Sequence, residues 1–100
     1  MEKTIMELIV NAGNARSRAM EAISAANNGE VDIAKKKMIE CEDALDKAHD
    51  IQTNLIQKEA AGEKIEINLL VIHAQDHLMN AATIKDMAKE FIKLYEKFNK

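Results

Sequence analysis

His73 and His77 stand four residues apart in the run Val71-Ile72-His73-Ala74-Gln75-Asp76-His77-Leu78-Met79, with Asp76 between them and Asn80 just beyond. On a helix, residues at i and i+4 share a face, so both imidazoles and Asn80 project from one flank while Asp76 is turned aside by roughly 60°. An imidazole whose one ring nitrogen is held by a hydrogen bond offers the other to a visitor. Imidazoles are largely neutral at cellular pH and therefore nucleophilic, and the phosphoramidate they form is labile enough to be passed on. A Ser or Thr ester would hold the group too tightly. His73 in this setting has the chemistry of a phosphoryl carrier, with His77 and Asn80 as the nearest support for the roughly −1.5 to −2 charge that phosphorylation adds.

Other uses of these residues are weaker. His73 and His77 could share a metal, but the zinc-protease signature needs a Glu directly after the first His, and Ala74 stands there. The chain has no Gly-rich phosphate loop, no Ser/His/Asp set and no Cys/His cluster, so an autonomous enzyme acting on a small substrate has no support. His77 falls on an apolar seam and reads as a supporting residue; His49, beside Asp50 and near Gln52, reads as a surface or satisfied core residue. The lone cysteine, Cys41, lies on an apolar stripe and reads as an inert core thiol.

The elements that must position these groups are three helices. Thr4 and Glu7 have capping-box spacing, and Ile5, Leu8, Ile9, Ala12, Ala15, Ala19, Ala22, Ile23 and Ala26 recur at helical steps. This predicts a first helix over 4–28, ended by Asn27-Asn28-Gly29. A second, over 31–58, carries Ala34, Met38, Cys41, Leu45, Ala48, Ile51 or Gln52, and Leu55 at nearly heptad spacing, and Gly62 interrupts the pattern after it. The third spans 65–98, with Leu70, Ala74, His77, Ala81, Ile84, Ala88, Phe91, Tyr95 and Phe98 as the seam facing the other two. Short connections between helices of similar length favour antiparallel neighbours, so the fold class is all-α, an up-down-up three-helix bundle in a single domain, 1–100.

Composition agrees. The 100 residues include no Pro and three Gly, and 47% are apolar. Fourteen basic and seventeen acidic residues are interspersed at a net charge of −3, which argues against a nucleic-acid partner. No apolar run approaches the ~20 residues that span a bilayer, and the start of the chain does not read as a secretory signal, so a cytoplasmic protein is expected.

The third helix has one apolar stripe too many. Ile65, Leu69, Ile72, Met79 and Thr83 form a second line in its N-terminal half, with Asp76 in the middle. A monomeric bundle has no core left for it, so self-association is the economical explanation. On a rotation axis, copies of Asp76 would meet and would have to be protonated or share a cation; alternatively Asp76 is a solvated residue on an imperfect stripe. The same arithmetic leaves His73 between the two stripes, in a groove where subunits would meet.

The run from Val71 to Met79 closely resembles the signature of the lactose/cellobiose-type enzyme IIA of the bacterial phosphotransferase system. The resemblance extends to Asn11-Ala12-Gly13-Asn14-Ala15-Arg16-Ser17, to Ala48-His49 and Gln52-Thr53-Asn54-Leu55-Ile56, and to Lys85-Asp86-Met87-Ala88, and so covers essentially the whole chain. Members serving cellobiose, chitobiose and related β-glucosides are the most similar. The resemblance implies a homotrimer of nine helices with active sites in grooves between subunits. It implies phosphorylation of His73 on Nε2, and three copies of Asp76 around a divalent cation, taken as magnesium, on the trimer axis. The phosphoryl group would arrive from the phosphocarrier HPr and leave to a cysteine of the cognate enzyme IIB, which phosphorylates a sugar entering through the membrane protein IIC. Gly13 would let the first helix approach closely or leave room beside the groove, and the short N-terminus implies no flexible leader. A histidine phosphotransfer domain of two-component signalling is the rival, although Asp76 stands where such domains carry a Lys; a non-catalytic helical interaction module is the other.

Overall fold

The computed structural model describes residues 1–98; residues 99–100 of the expected 1–100 domain lie outside the described residues. Three helices follow one another: α1 (Glu2–Asn27), α2 (Val31–Ala60) and α3 (Leu69–Phe98). At ~1.5 Å per residue the longer two reach about 45 Å, which accounts for a rod of 55 × 19 × 16 Å. Met1, Glu2 and Ile5 share a concavity with Glu66, Asn68, Leu70 and Val71, so α1 and α3 start at the same end. Lys35, Met38 and Glu42 meet Lys89, Ile92 and Glu96, so α2 runs the other way. The up-down-up bundle is therefore observed.

Both connections end a helix in the same manner. After α1, Glu30 N–H bonds the Ala25 carbonyl and Gly29 N–H that of Ala26; after α2, Glu63 N–H bonds Lys58 and Gly62 N–H bonds Glu59. This pairing needs a left-handed residue, and Gly29 (φ 79°) and Gly62 (φ 98°) supply it. The helix starts differ from expectation. α1 begins at Glu2 rather than Thr4, with no side-chain cap, because the Ile5 N–H already finds the Met1 carbonyl; the Thr4/Glu7 box does not form. α2 runs two residues past 58.

α3 starts at Leu69, not Ile65. Asn68 stops it: its Oδ1 accepts the Val71 N–H at 3.0 Å, satisfying an otherwise orphaned donor of the first turn. Glu63 to Asn68, with β-branched Ile65 and Ile67 alternating with polar residues, stays outside the helix. Asn68→Ala should cost about 1 kcal/mol of stability, read by chemical denaturation.

The core is thin and rich in alanine. Eleven alanines are buried, among them Ala12, Ala15, Ala19 and Ala22 of α1, while the largest fully buried side chains are Ile5, Leu8, Leu78 and Cys41. Small residues let α1 lie close to both other helices, and α2 and α3 touch each other far less than either touches α1. The expected seam of α3 needs correction. Ala74, Ala81 and Ala88 are buried as read, but Leu78 and Ile92 complete the buried line; His77 and Ile84 are half-buried and Phe91 and Phe98 are exposed.

Between α1 and α2, Arg18 bonds Glu21 at 2.6 Å and approaches Glu40, which Lys37 also approaches. The hydrogen bond from Arg18 is the main reason the Glu21 carboxyl sits below its ordinary range. A depressed carboxylate stabilises the fold above its unfolded-state pKa and loses that contribution as pH falls; at so exposed a site the contribution is small. Cys41 is buried, as expected, and that burial pushes its thiol up, with Glu42 adding in the same direction. A raised thiol favours the folded state below the unfolded thiol's pKa, an advantage lost as pH rises toward the folded value. Native protein should therefore react with a chromogenic disulfide reagent only as fast as the bundle opens, many times more slowly than in denaturant.

Candidate functional site

The N-terminal half of α3 carries the candidate site. Asn68 fixes where the helix begins, and Ala74 and Leu78, both fully buried, lock this stretch onto the core. With those two pointing inward, His73 is exposed on the flank and His77 is half-buried beside it. Their ring centroids are 4.9 Å apart and the planes are inclined by 41°, so the structure brings the two histidines together. His77 is not in the core seam as read, since Leu78 takes that place; its half-burial suits a residue that supports its exposed neighbour.

Asn80 is exposed on the same flank, about two turns beyond His73. Gly13 is half-buried on α1; counting equal rises from Ile5 and Leu70 along two parallel helices sets it near the level of His77 and Leu78. A Cβ added to Gly13 would meet nothing within 4 Å. No close helix approach inside the chain therefore requires this glycine, which corrects one of its two expected roles. His49 is half-buried on α2.

The second stripe is on the surface. Leu69 is 81% exposed, Ile72 55% and Met79 48%, and Asp76 and Thr83 lie exposed with them, while Ile65 is half-buried and precedes the helix. Contrary to the expected restriction to the first half of α3, exposed Met87, Phe91, Leu94 and Phe98 carry apolar surface on to the helix end. Next to Ile72 a groove of about 290 Å³, lined by Leu55, Ile56, Glu59, Ile65, Ile67, Val71 and Gln75, separates the end of α2 from the start of α3. Among the described residues of one chain, no group of three or more His, Cys, Asp or Glu side chains is placed to hold a metal ion. Asp76 supplies one hard oxygen donor, and any cation it held would need carboxylates from further copies.

Two functional details were missed in the sequence: the Asn68 cap, signalled only by an Asn before two leucines, and a 2.6 Å hydrogen bond from Gln52 Nε2 to Gln75 Oε1 between α2 and α3, which no local pattern announces.

An imidazole presented on an open helix face is placed to meet another macromolecule, which suits a helical-bundle carrier better than an enzyme closed around a small substrate. Residues 3–96 match the family described as PTS system, Lactose/Cellobiose specific IIA subunit. The chain is 58% identical over 97 residues to the lichenan-specific phosphotransferase enzyme IIA component of Bacillus subtilis, covering 97% of this chain and 88% of that protein. It is 40% identical to the N,N'-diacetylchitobiose-specific EIIA component of Escherichia coli, over 97% and 84% of the two chains. The crystal structure of the cellobiose-specific enzyme IIA from Bacillus anthracis superposes with a TM-score of 0.96 at 53% identity, over 98% of this chain and 90% of that one. The chitobiose IIA of Escherichia coli, solved in complex with HPr, gives 0.84 at 37%, over 99% and 96%. The chain belongs to the lactose/cellobiose-specific IIA family of the sugar phosphotransferase system, and is a phosphotransferase component. A two-component phosphotransfer domain and a non-catalytic adaptor are thereby set aside. Among the described residues, no helix is long and apolar enough to cross a membrane.

Proposed function

We propose that His73 is the residue that carries the phosphoryl group, accepting it from phosphorylated HPr and passing it to a cysteine of a cognate IIB for the uptake of a β-linked disaccharide such as cellobiose or chitobiose through a membrane IIC. The observation that carries this reading is the exposed His73 ring beside the half-buried His77, 4.9 Å away, in a chain of this family. In the transfer the lone pair of His73 Nε2 forms the new N–P bond as the N–P bond on the donor imidazole breaks and its electron pair returns to that ring. The second step repeats this with a thiolate, forming S–P and releasing His73. HPr as donor is supported by the complex solved for the chitobiose relative, and cytoplasmic chemistry would follow from it.

The exposed stripe through Leu69, Ile72 and Met79 supports assembly as a homotrimer, with Asp76 of each copy on the axis. Three carboxylates there suit a divalent cation such as Mg²⁺, whose contribution would be to neutralise their mutual repulsion. The test mixes the chain with phosphoenolpyruvate, enzyme I and HPr. One acid-labile phosphoryl group per chain, discharged by IIB, is expected; a chain that takes up none refutes the proposal.

A further inference from the structure

Resting on the reading of His73 as the phosphoryl acceptor, we infer that Gln52 and Gln75 are positioning residues: their hydrogen bond between α2 and α3 holds the azimuth at which His73 is presented to its donor. Three observations carry this. First, α2 and α3 touch far less than either touches α1, so α3 is seated mainly on α1 and the direct packing between α2 and α3 adds little to fixing its final orientation. Second, the bond from Gln52 Nε2 to Gln75 Oε1 is 2.6 Å long and part-buried, and it is the one hydrogen bond between side chains of two helices among the described residues. Third, Gln75 is two residues from His73, hence on the opposite flank of α3 by about 200°, so a turn of the helix that breaks the amide pair swings the imidazole by the same angle.

The surroundings give the pair its strength. Gln75 lines a groove formed mostly by apolar side chains, Leu55, Ile56, Ile65, Ile67, Val71 and Ile72, with Glu59 as its one charged residue, so an amide parted from its mate has few alternative partners there. The Lys89–Glu42 ion pair, the other polar link between these helices, lies near the far end of α3 and is largely exposed, so it cannot substitute near His73. Asp76, next to Gln75, turns with it, so the same bond sets the direction of both groups. Displacing a reacting atom by about 1 Å can slow a transfer by as much as ~10²-fold, which makes a modest rotation measurable.

The experiment compares phosphoryl transfer from phosphorylated HPr to the wild-type chain and to four variants, each well below its unfolding midpoint. Gln52→Glu and Gln75→Glu each leave one amide to donate to a carboxylate and should transfer within about threefold of wild type. Gln52→Glu/Gln75→Glu faces two carboxylates and should lose about tenfold or more in maximal rate, with the apparent KM for phosphorylated HPr little changed. Gln52→Leu/Gln75→Leu guards against simple unfolding, since it replaces both partners with apolar groups suited to the groove and should keep its melting midpoint while transferring about tenfold more slowly. Ring-nitrogen NMR signals of His73 should move in both doubles and stay in place in the singles. Wild-type rates in the stable double-leucine variant overturn the inference, as do single Glu variants as slow as the double. A wild-type chain that accepts no phosphoryl group defeats instead the reading of His73 itself.

Discussion

A chain carrying His73→Ala is expected to take up no phosphoryl group while keeping its helical content and melting midpoint. The side chain is exposed, so truncation removes no core packing, and alanine is the best helix former. Structure and chemistry are thus separable at this position. His77→Ala should behave differently: its ring lies 4.9 Å from that of His73 and can donate to a phosphoryl oxygen without bonding phosphorus. One group per chain should still load, but about 10²- to 10³-fold more slowly, the scale of losing one donor to developing charge. Rapid-quench loading from phosphorylated HPr and intact-mass spectrometry distinguish the two. Stoichiometric labelling of the alanine variant at 73 would move the acceptor elsewhere, and His77 would become the first place to look.

The sequence shows three helices because each apolar pattern is long and each break carries a glycine that only a left-handed turn requires. α2 was legible in most of its length, since Ala34, Met38, Cys41, Leu45, Ala48 and Leu55 form one buried line; only the place between Ala48 and Leu55 was open, and Ile51 and Gln52 share it, both half-buried. α3 was not. Ala74, Ala81 and Ala88 belong equally to a line through His77, Ile84 and Phe91 and to one through Leu78, Lys85 and Ile92, and periodicity cannot choose between two apolar flanks of one helix. The choice is made by where α1 and α2 stand. Lys85 disguised the correct line, although a half-buried lysine can lay its stem along the bundle and turn its ammonium outward, here to Asp86 at 3.3 Å. The start of α3 was misread for a related reason: Ile65 is in helical register with Leu69 and Ile72, but the Asn68 cap outweighs register. His73 was legible because its exposure follows from Ala74 and Leu78 being inside. The Gln52–Gln75 bond was not, because it depends on the relative height of two helices.

Asp76→Leu should strengthen the assembly. In the single chain Asp76 lies exposed among Leu69, Ile72, Met79 and Thr83, so in a monomer a leucine there would only lengthen a solvent-exposed apolar stripe. In a trimer closed around that stripe the same change acts three times. It removes three carboxylates that repel one another, and it buries three leucine side chains worth about 1.5–3 kcal/mol each when fully removed from water. Replacing buried charge with well-packed apolar groups often stabilises an assembly, whereas a wild type deprived of the cation proposed for its axis would be left with unbalanced repulsion. The variant should therefore sediment as a trimer at concentrations where the wild type in a chelator begins to dissociate. Its melting midpoint should be higher and indifferent to added magnesium, and it should still accept one phosphoryl group per chain, since His73 is untouched. A monomeric or aggregating Asp76→Leu chain, beside a wild type equally monomeric, would mean that Asp76 faces water and that the stripe is covered in some other way.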